Sequence, residues 1–428
     1  MITKINLKDR TIKSYAIRKF TPRECFRLMG VREGYIDKLQ TTAEKAREMF
    51  PARRLQAKGD APAVSVSQQY KAAGNSIVVD VLAAIYGQLW YPKAHTVEHS
   101  LFDALPAEPV DNNEGEKVFI TTFSGYDSQL MAADALREGH PGFKWTCAGW
   151  SEIDGNAALL HDLAFPQYAD KALGDITKVD WHAVRESLGG RGVDMLTYSS
   201  PCQDISVAGK QAGLKEGSGT RSALLWHVEA AVAELRPKYL LMENVPALVS
   251  KKFLPDFHKW LARLERLGYT NRWARLNARD FGVPQNRDRV FCLSMRGDVA
   301  FDYRFPEPRT LDKRLENILE DDTEERFFLK DDAVGKFLKA NDDDGAVYVE
   351  YDIPPRHGDA MFVKTWLQRT ADIFGFWEKK PDEVQAALAL FSDGAFRDDY
   401  AKFKERGEFA LGEDFALAYQ KNLAGQCD

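Results

Sequence analysis

With 428 residues, of which 44% are hydrophobic and 29% charged, and a net charge of −6, the chain has the composition of a globular protein of two or three domains. Its apolar runs fall short of the roughly 20 residues that a membrane span needs, and its N-terminus lacks the apolar stretch of a signal peptide. Five cysteines without metal-like or disulfide-like spacing predict a protein of the reducing cytoplasm with no metal site.

The charge is unevenly distributed along the chain. Residues 1–60 hold 15 Lys and Arg against 7 Asp and Glu, a balance of +8, whereas residues 340–428 hold 10 against 18, a balance of −8. Such an asymmetry predicts that the basic end faces a polyanion. A solvated basic surface without a partner is the alternative.

The N-terminal quarter contains two helix signals. Thr21 as N-cap, Pro22 at the first helical position and Glu24 as the other half of a capping box predict a short helix that ends at Gly30. Further on, Gly74-Asn75-Ser76 precedes an apolar helix over 77–89, with Asn75 or Ser76 as its expected cap. The backbone N–H groups at that helix start could hold a carboxylate, or serve capping alone.

Residues 117–295 alternate between strand and helix patterns, which predicts a doubly wound α/β fold with a parallel sheet. The predicted strands are 118–123, 144–150, 194–198, 239–242, 273–276 and 289–295. Ligands of such sheets bind at the carboxyl ends of the strands. The residues expected at these ends are Phe123, Glu152, Asp175, Pro201-Cys202 and Glu243-Asn244.

The turn after the first strand of this region does not match a dinucleotide loop. It has Gly125, but Asp127 and Ser128 stand where further glycines would cradle a diphosphate. Glu152 suits ribose hydroxyls and Asp175 suits an adenine amino group. The pattern therefore predicts a nucleoside cofactor without a diphosphate, and Asn75 or Ser76 is available for its amino-acid end.

Cys202 is the candidate nucleophile, because it lies beyond a buried strand at the start of a glycine-rich loop. Glu243 ends the neighbouring strand and is the candidate acid. Arg287 and Arg289 alternate, so an extended chain would direct both to one face, where their charge would depress a thiol pKa. Taken by itself, a lone cysteine such as Cys202 is more often an inert core residue than a nucleophile.

In order and spacing, several short blocks resemble those of the DNA cytosine-5 methyltransferases. The resemblance covers Lys117 to Met295 and also residues 15–89. Its blocks are Phe123-Ser124-Gly125, Glu152-Ile153-Asp154, Gly174-Asp175-Ile176, Ser200-Pro201-Cys202-Gln203, Glu243-Asn244-Val245 and Gln285-x-Arg287-x-Arg289. Thr21-Pro22-Arg23-Glu24 and Gly74-Asn75-Ser76 look like the last two motifs of that family, which normally follow the others. We interpret this order as a circular permutation.

The resemblance implies a Rossmann-like sheet that binds S-adenosylmethionine and a smaller C-terminal target-recognition region. The implied cofactor-binding residues are Phe123, Gly125, Glu152, Ile153, Asp175, Ile176, Pro201, Leu224, Asn75 and Ser76. The implied domains are an N-terminal permuted segment (1–90), a linker (91–116), a catalytic domain (117–299), and a connector with the target-recognition region (300–428).

For catalysis, the resemblance implies that Cys202 adds to C6 of a cytosine flipped out of duplex DNA, while neutral Glu243 contacts N3. Arg289 would orient the base, and Arg287 would contact the DNA backbone or the cysteine loop. Gln203 and Asn244 belong to the same catalytic blocks.

The resemblance implies double-stranded DNA as partner, with a cognate restriction endonuclease as a further candidate, in the cytoplasm of a prokaryotic or phage-infected cell. The acidic C-terminal region is unusual for a DNA reader. Two alternatives therefore stay open: a cytosine-5 methyltransferase acting on RNA, and a catalytically silent DNA-binding relative.

Overall fold

The computed structural model describes residues 2–6, 10–15, 17–53, 55–92, 115–199, 221–329, 346–350, 368, 371, 376–378 and 380–384. By their contacts the residues divide into two compact units, one of residues 22–318 and one of residues 1–21 with 319–428. Most of the predicted linker and most of the predicted target-recognition region lie outside the described residues.

Ten α-helices and nine strands are found in the described ranges. The helices are α1 (Pro22–Leu28), α2 (Glu33–Leu39), α3 (Ala43–Met49), α4 (Val66–Asn75), α5 (Val79–Trp90), α6 (Ser128–Gly139), α7 (Gly155–Ala164), α8 (Trp181–Ser187), α9 (His227–Leu235) and α10 (Leu254–Arg266). The strands are β1 (Ile2–Asn6), β2 (Thr11–Tyr15), β3 (Glu116–Thr122), β4 (Lys144–Ser151), β5 (Met195–Tyr198), β6 (Tyr239–Asn244), β7 (Tyr269–Asn277), β8 (Asp288–Arg296) and β9 (Ala346–Glu350).

The unit that joins the two ends of the chain contains a small antiparallel sheet in the order β2-β1-β9. Ile2 pairs with Tyr15 on one side and with Glu350 on the other. A further bridge links Arg18 and Phe328. The first 21 residues therefore belong with the C-terminal part of the chain, a division that differs from the predicted 1–90 segment.

The larger unit is built on a six-stranded sheet in the order β4-β3-β5-β6-β8-β7. The first four strands in this order are parallel, and β8 runs antiparallel to both of its neighbours. The predicted doubly wound, Rossmann-like α/β fold is confirmed, with one reversed strand near the edge.

Side chains alternate between the two faces of this sheet, as the two-residue period of a strand requires. Phe119 of β3 belongs to one core cluster, whereas Val118 and Ile120 belong to the other. Helices α5, α6 and α7 contribute to the first cluster, and α8, α9 and α10 to the second. The sheet is therefore covered by helices on both faces, which explains its continuous apolar strands.

Helix α5, from the N-terminal segment, packs directly on the sheet. The rings of Tyr86 and Trp90 each lie 5.7 Å from that of Phe119, and Trp90 also contacts Tyr239. Residues 66–90 have the length and hydropathy of a membrane span, but they form two separate helices, and α5 is largely buried in this core. The segment thus covers one face of the sheet.

The predicted cap of the 77–89 helix is wrong. Asn75 is the last residue of α4 and Ser76 is its C-cap, whereas α5 begins at Val79. The N–H of Val79 donates to the carbonyl of Met29 at 2.9 Å, so a backbone group from a distant turn replaces a capping side chain. The helix predicted to end at Gly30 is confirmed as α1.

Candidate active site

The register of the parallel strands brings the ends of four strands to one edge of the sheet. Thr122 of β3 pairs with Ser151 of β4 and with Tyr198 of β5, which in turn pairs with Met242 of β6. The residues that come next in the chain after these paired positions therefore share this edge, where doubly wound sheets bind their ligands. They are Phe123, Glu152, Ser199 and Glu243, of which Glu243 still belongs to β6.

The turn after β3 is tight. Phe123 has φ of 54° and Gly125 has φ of 58°, a region that costs a non-glycine residue roughly 1–3 kcal/mol. A Cβ added at Gly125 would meet no atom within 4 Å, so open space lies beside this turn.

Glu152 is held by three backbone N–H groups. Its Oε2 accepts from Gly125 at 3.0 Å, and its Oε1 accepts from Ile153 and Asp154, each at 2.8 Å. The side chain of Ile153 is 69% exposed. A fixed carboxylate beside a bare apolar side chain is suited to a ligand with hydroxyl groups and a flat ring.

Asp175 lies close to Glu152 because residues 172–175 run along the end of β4. The N–H of Leu173 donates to the Trp150 carbonyl, and Ser151 Oγ donates to the Gly174 carbonyl, both at 2.7 Å. Hydrogen bonds from Thr177 lower the pKa of Asp175 below its ordinary value.

The two apolar residues predicted at the cofactor site differ in exposure. Ile176 is buried after Asp175, whereas Leu224 is half-buried in a short 3-10 helix over 221–226.

Glu243 and Arg289 form an ion pair where β6 meets β8. Arg289 Nε lies 3.0 Å from Glu243 Oε1, and Glu243 is only 8% exposed. Burial raises the pKa of Glu243 above its ordinary value, although the charges of Arg289 and Arg287 oppose the shift. Next to it, buried Asn244 accepts a hydrogen bond from Val245 at 2.9 Å through its Oδ1. The Glu243 carboxyl group is therefore expected to hold its proton more tightly than an exposed glutamate does.

Arg287 and Gln285 bind the N-terminal segment instead. The Arg287 guanidinium donates to the carbonyls of Gly74 at 2.8 Å and Ser76 at 2.6 Å, where α4 ends. Gln285 Nε2 donates to the carbonyl of Leu28, the last residue of α1, at 2.8 Å. The Gln285-x-Arg287-x-Arg289 motif therefore joins the segment that carries Asn75 and Ser76 to β8, the strand that carries Arg289.

Pro201, Cys202 and Gln203 lie outside the described residues, which stop at Ser199 and resume at 221. In the described ranges, no group of three or more His, Cys, Asp and Glu side chains could hold a metal ion.

In the sequence, Asp127 stands out only as a departure from a dinucleotide-binding turn, and His161 has no sequence signal; both side chains lie beneath the turn after β3. Asp127 caps α6, and its Oδ2 accepts from Thr121 Oγ1 at 2.6 Å and lies 3.3 Å from His161 Nε2. The signal available in the sequence was an aspartate at a position where a nucleotide-binding turn usually has glycine.

The fold is that of a doubly wound α/β protein whose strand ends bring Glu152 and the Glu243–Arg289 pair to one edge of the sheet. Residues 121–370, more than half of the chain, match the family model for C-5 cytosine-specific DNA methylases. The chain belongs to this family.

Curated relatives agree with this assignment. The type II methyltransferase M2.ScrFI of Lactococcus lactis subsp. cremoris is 46% identical over 231 residues, 54% of this chain and 61% of that protein. The orphan methyltransferase M.SssI of Spiroplasma monobiae is 46% identical over 134 residues, 30% of this chain and 35% of that protein. The chain thus matches less than two thirds of the length of either relative.

Among solved structures, the S. pombe Dnmt2 methyltransferase is 16% identical with a TM-score of 0.38, covering 52% of this chain and 66% of that chain.

Proposed function

We propose that the protein is a DNA cytosine-5 methyltransferase that transfers the methyl group of S-adenosylmethionine to C5 of a cytosine in duplex DNA. The observation that carries this proposal is the buried Glu243–Arg289 pair at the end of β6, the strand next to β5, which Cys202 follows in the sequence. A carboxyl group with a raised pKa beside a fixed cation is suited to protonate and hold a pyrimidine ring.

The residues at the neighbouring strand ends fit S-adenosylmethionine. Glu152 would hold the ribose hydroxyls and Asp175 the adenine amino group, with the exposed face of Ile153 against the ring. Phe123, Gly125, Ile176, Pro201 and Leu224 complete the set that we assign to the cofactor. The open space beside Gly125 supports this assignment. When bound there, the cofactor supplies an electrophilic methyl group.

In the proposed reaction the Cys202 thiolate adds to C6 of the flipped base, forming a covalent C–S bond. Glu243 donates its proton to N3, so the negative charge that develops on the ring is neutralised, and Arg289 holds the carboxyl group and the base in place. The resulting enamine carbon C5 would be the nucleophile for the methyl group. A base such as a water molecule would then take the C5 proton, Cys202 would leave as the thiolate, and N3 would return its proton to Glu243. Gln203 and Asn244 are assigned to holding the loop and the base.

We further propose that the N-terminal segment carries the last two family motifs in permuted order. The family match begins at Thr121, after this segment. The packing of α5 on the sheet and the bonds from Arg287 to Gly74 and Ser76 support the idea that the segment occupies the place of those motifs. Asn75 and Ser76 would then border the amino-acid end of the cofactor.

For sequence recognition we assign the C-terminal region, about residues 330–428, with a share taken by the basic N-terminal residues. We place the protein in the cytoplasm of a prokaryotic or phage-infected cell, where a cognate restriction endonuclease is a candidate partner. This assignment rests on the bacterial methyltransferases that the chain resembles.

Bisulfite sequencing of plasmid DNA from cells that express the protein, beside cells that express Cys202→Ser, tests the activity. We expect protected cytosines in one recurring short context with the wild-type protein and none with the variant. Equal protection by both proteins would overturn the covalent mechanism. If the DNA is unmodified and the RNA from the same cells contains methylated cytosines, the substrate would be RNA instead of DNA.

A further inference from the structure

His161 is a fully buried histidine that no step of the proposed reaction uses. It lies on α7 beneath the cofactor edge of the sheet, and its ring stacks on Trp150 with centroids 3.8 Å apart and an angle of 20° between the planes. Its Nε2 lies 3.3 Å from Asp127 Oδ2, and its Nδ1 lies 3.8 Å from Asp162 Oδ1. Neither ring nitrogen makes a hydrogen bond within the described residues, so the ring is positioned by its stacking on Trp150 and lies within electrostatic range of both carboxylates.

The two neighbours of His161 belong to the two halves of the cofactor site. Asp127 ends the turn after β3, and Trp150 is the second residue before Glu152 at the end of β4. The two halves are also hydrogen-bonded to each other, because Ser124 donates to the Ser151 carbonyl through its N–H at 3.1 Å and through its Oγ at 3.2 Å. His161 therefore lies against both the turn after β3, at Asp127, and the end of β4, at Trp150.

Asp127 is held in an unusual conformation. It has φ of 65° and ψ of 58°, the left-handed region that favours glycine and that aspartate tolerates when its side chain is bonded locally. Its Oδ1 accepts from the Leu130 N–H at 3.2 Å, and its Oδ2 accepts from Thr121 Oγ1. A protonated His161 facing Oδ2 adds an electrostatic attraction that helps to keep the turn closed.

We propose, on the basis of the function assigned above, that His161 is a positioning residue for S-adenosylmethionine. In its protonated form it holds the turn that carries Gly125 against the end of β4 that carries Glu152, and loss of this proton weakens cofactor binding. His161 itself does not contact the cofactor in this proposal; it acts through Asp127 and Trp150.

The charges around His161 set the direction of the pH dependence. Burial lowers the pKa of His161, but Asp127 and Asp162 outweigh it, so the pKa is raised above its ordinary value. Asp162 is itself paired with Arg53. The other titratable groups that face Asp127 are kept neutral by burial, which raises the pKa values of Tyr35, Tyr86 and Cys147. A raised histidine pKa means that the attraction is present at low pH and is lost as the pH rises through it.

The affinity of the full-length protein for S-adenosylhomocysteine, measured by isothermal titration calorimetry from pH 6 to 9, tests the proposal. We expect the Kd of the wild-type protein to rise about tenfold across this range, the change given by a pKa difference of about one unit between free and bound protein. His161→Gln should bind with the weak alkaline Kd at every pH. Asp127→Gly should lose the same pH slope, because glycine adopts the turn without needing a partner.

His140→Gln is the matched control. His140 also stacks on an aromatic ring, that of Tyr91 at 3.9 Å, but it lies away from the strand ends, so its variant should follow the wild-type profile. The amino group of S-adenosylhomocysteine also titrates in this pH range, but it does so equally for the wild-type protein and the three variants. The differences between their pH profiles therefore report on the protein.

If His161→Gln does not fold, the wild-type protein and Asp127→Gly still decide the matter. Calorimetry in buffers of different ionisation enthalpy measures the protons taken up when the ligand binds. We expect proton uptake by the wild-type protein and none by Asp127→Gly. Parallel pH profiles in the wild-type protein, His161→Gln and Asp127→Gly, or proton uptake that Asp127→Gly retains, would overturn the role of His161. An absence of binding in every protein at every pH would instead contradict the proposed function.

Discussion

Replacing Arg287 by alanine should destabilise the larger unit, because the guanidinium of Arg287 binds the carbonyls of Gly74 and Ser76 where α4 ends. A hydrogen bond from a charged donor contributes about 1.5–3 kcal/mol in net terms. Since one of these bonds is exposed and the two share one nitrogen, we expect a combined loss of about 2 kcal/mol. In a unit of this size, this loss lowers Tm by roughly 4 °C. Arg287→Lys should lose about half as much, because its ammonium group keeps a charged donor in place of the single guanidinium nitrogen that makes both bonds.

Thermal unfolding followed by circular dichroism measures this loss, and hydrogen exchange locates it in α4. Arg275→Ala is a matched control on the neighbouring strand, because Arg275 forms an exposed ion pair with Asp288 and such pairs contribute about 0–1 kcal/mol. An Arg287→Ala protein that melts like the wild-type protein but loses DNA affinity would refute the reasoning. Arg287 would then act as a DNA contact, which is one of the two roles that the family resemblance implies.

Two further predictions concern the active-site edge. Glu243→Gln should lower kcat by about 100-fold or more, the range of general acid catalysis, with the Kd for DNA changed less than about threefold. The wild-type kcat/KM should fall as the pH rises through the raised pKa of Glu243, and a Glu243→Gln enzyme that retains this alkaline decline would contradict the assignment. Ile153→Ala should leave Tm unchanged, because this side chain is exposed, but should weaken S-adenosylhomocysteine binding about tenfold if the ligand covers roughly half of it. An unchanged Kd by calorimetry would place the adenine ring elsewhere.

The strand ends of the larger unit could be predicted because their signals are local. An apolar run followed by a polar residue marks where a parallel strand leaves the core, and the ends near Glu152 and Glu243 follow from that rule. The parallel direction of the first four strands follows from their alternation with helices. The antiparallel direction of β8 has no such signal, because the apolar pattern of a strand does not indicate whether it runs parallel or antiparallel to its neighbours.

Contacts between distant residues could not be predicted in this way. Asn75 and Ser76 have the residue types of an N-cap, but the Met29 carbonyl, far away in the chain, already binds the first N–H of α5. Arg287 and Arg289 alternate as the sequence indicates, yet one binds helix ends and the other binds Glu243. In both cases the partner comes from packing, which no short window of sequence contains.

The bonds from Arg287 and Gln285 have a consequence for how the molecule could be assembled. Both side chains bind main-chain carbonyls of the N-terminal segment, and α5 is held by its fit to the sheet rather than by neighbouring residues in the chain. These contacts bind the N-terminal segment to the sheet independently of the path of the chain between residues 92 and 115. If the gene were divided within that stretch, we expect the two polypeptides to associate when they are co-expressed.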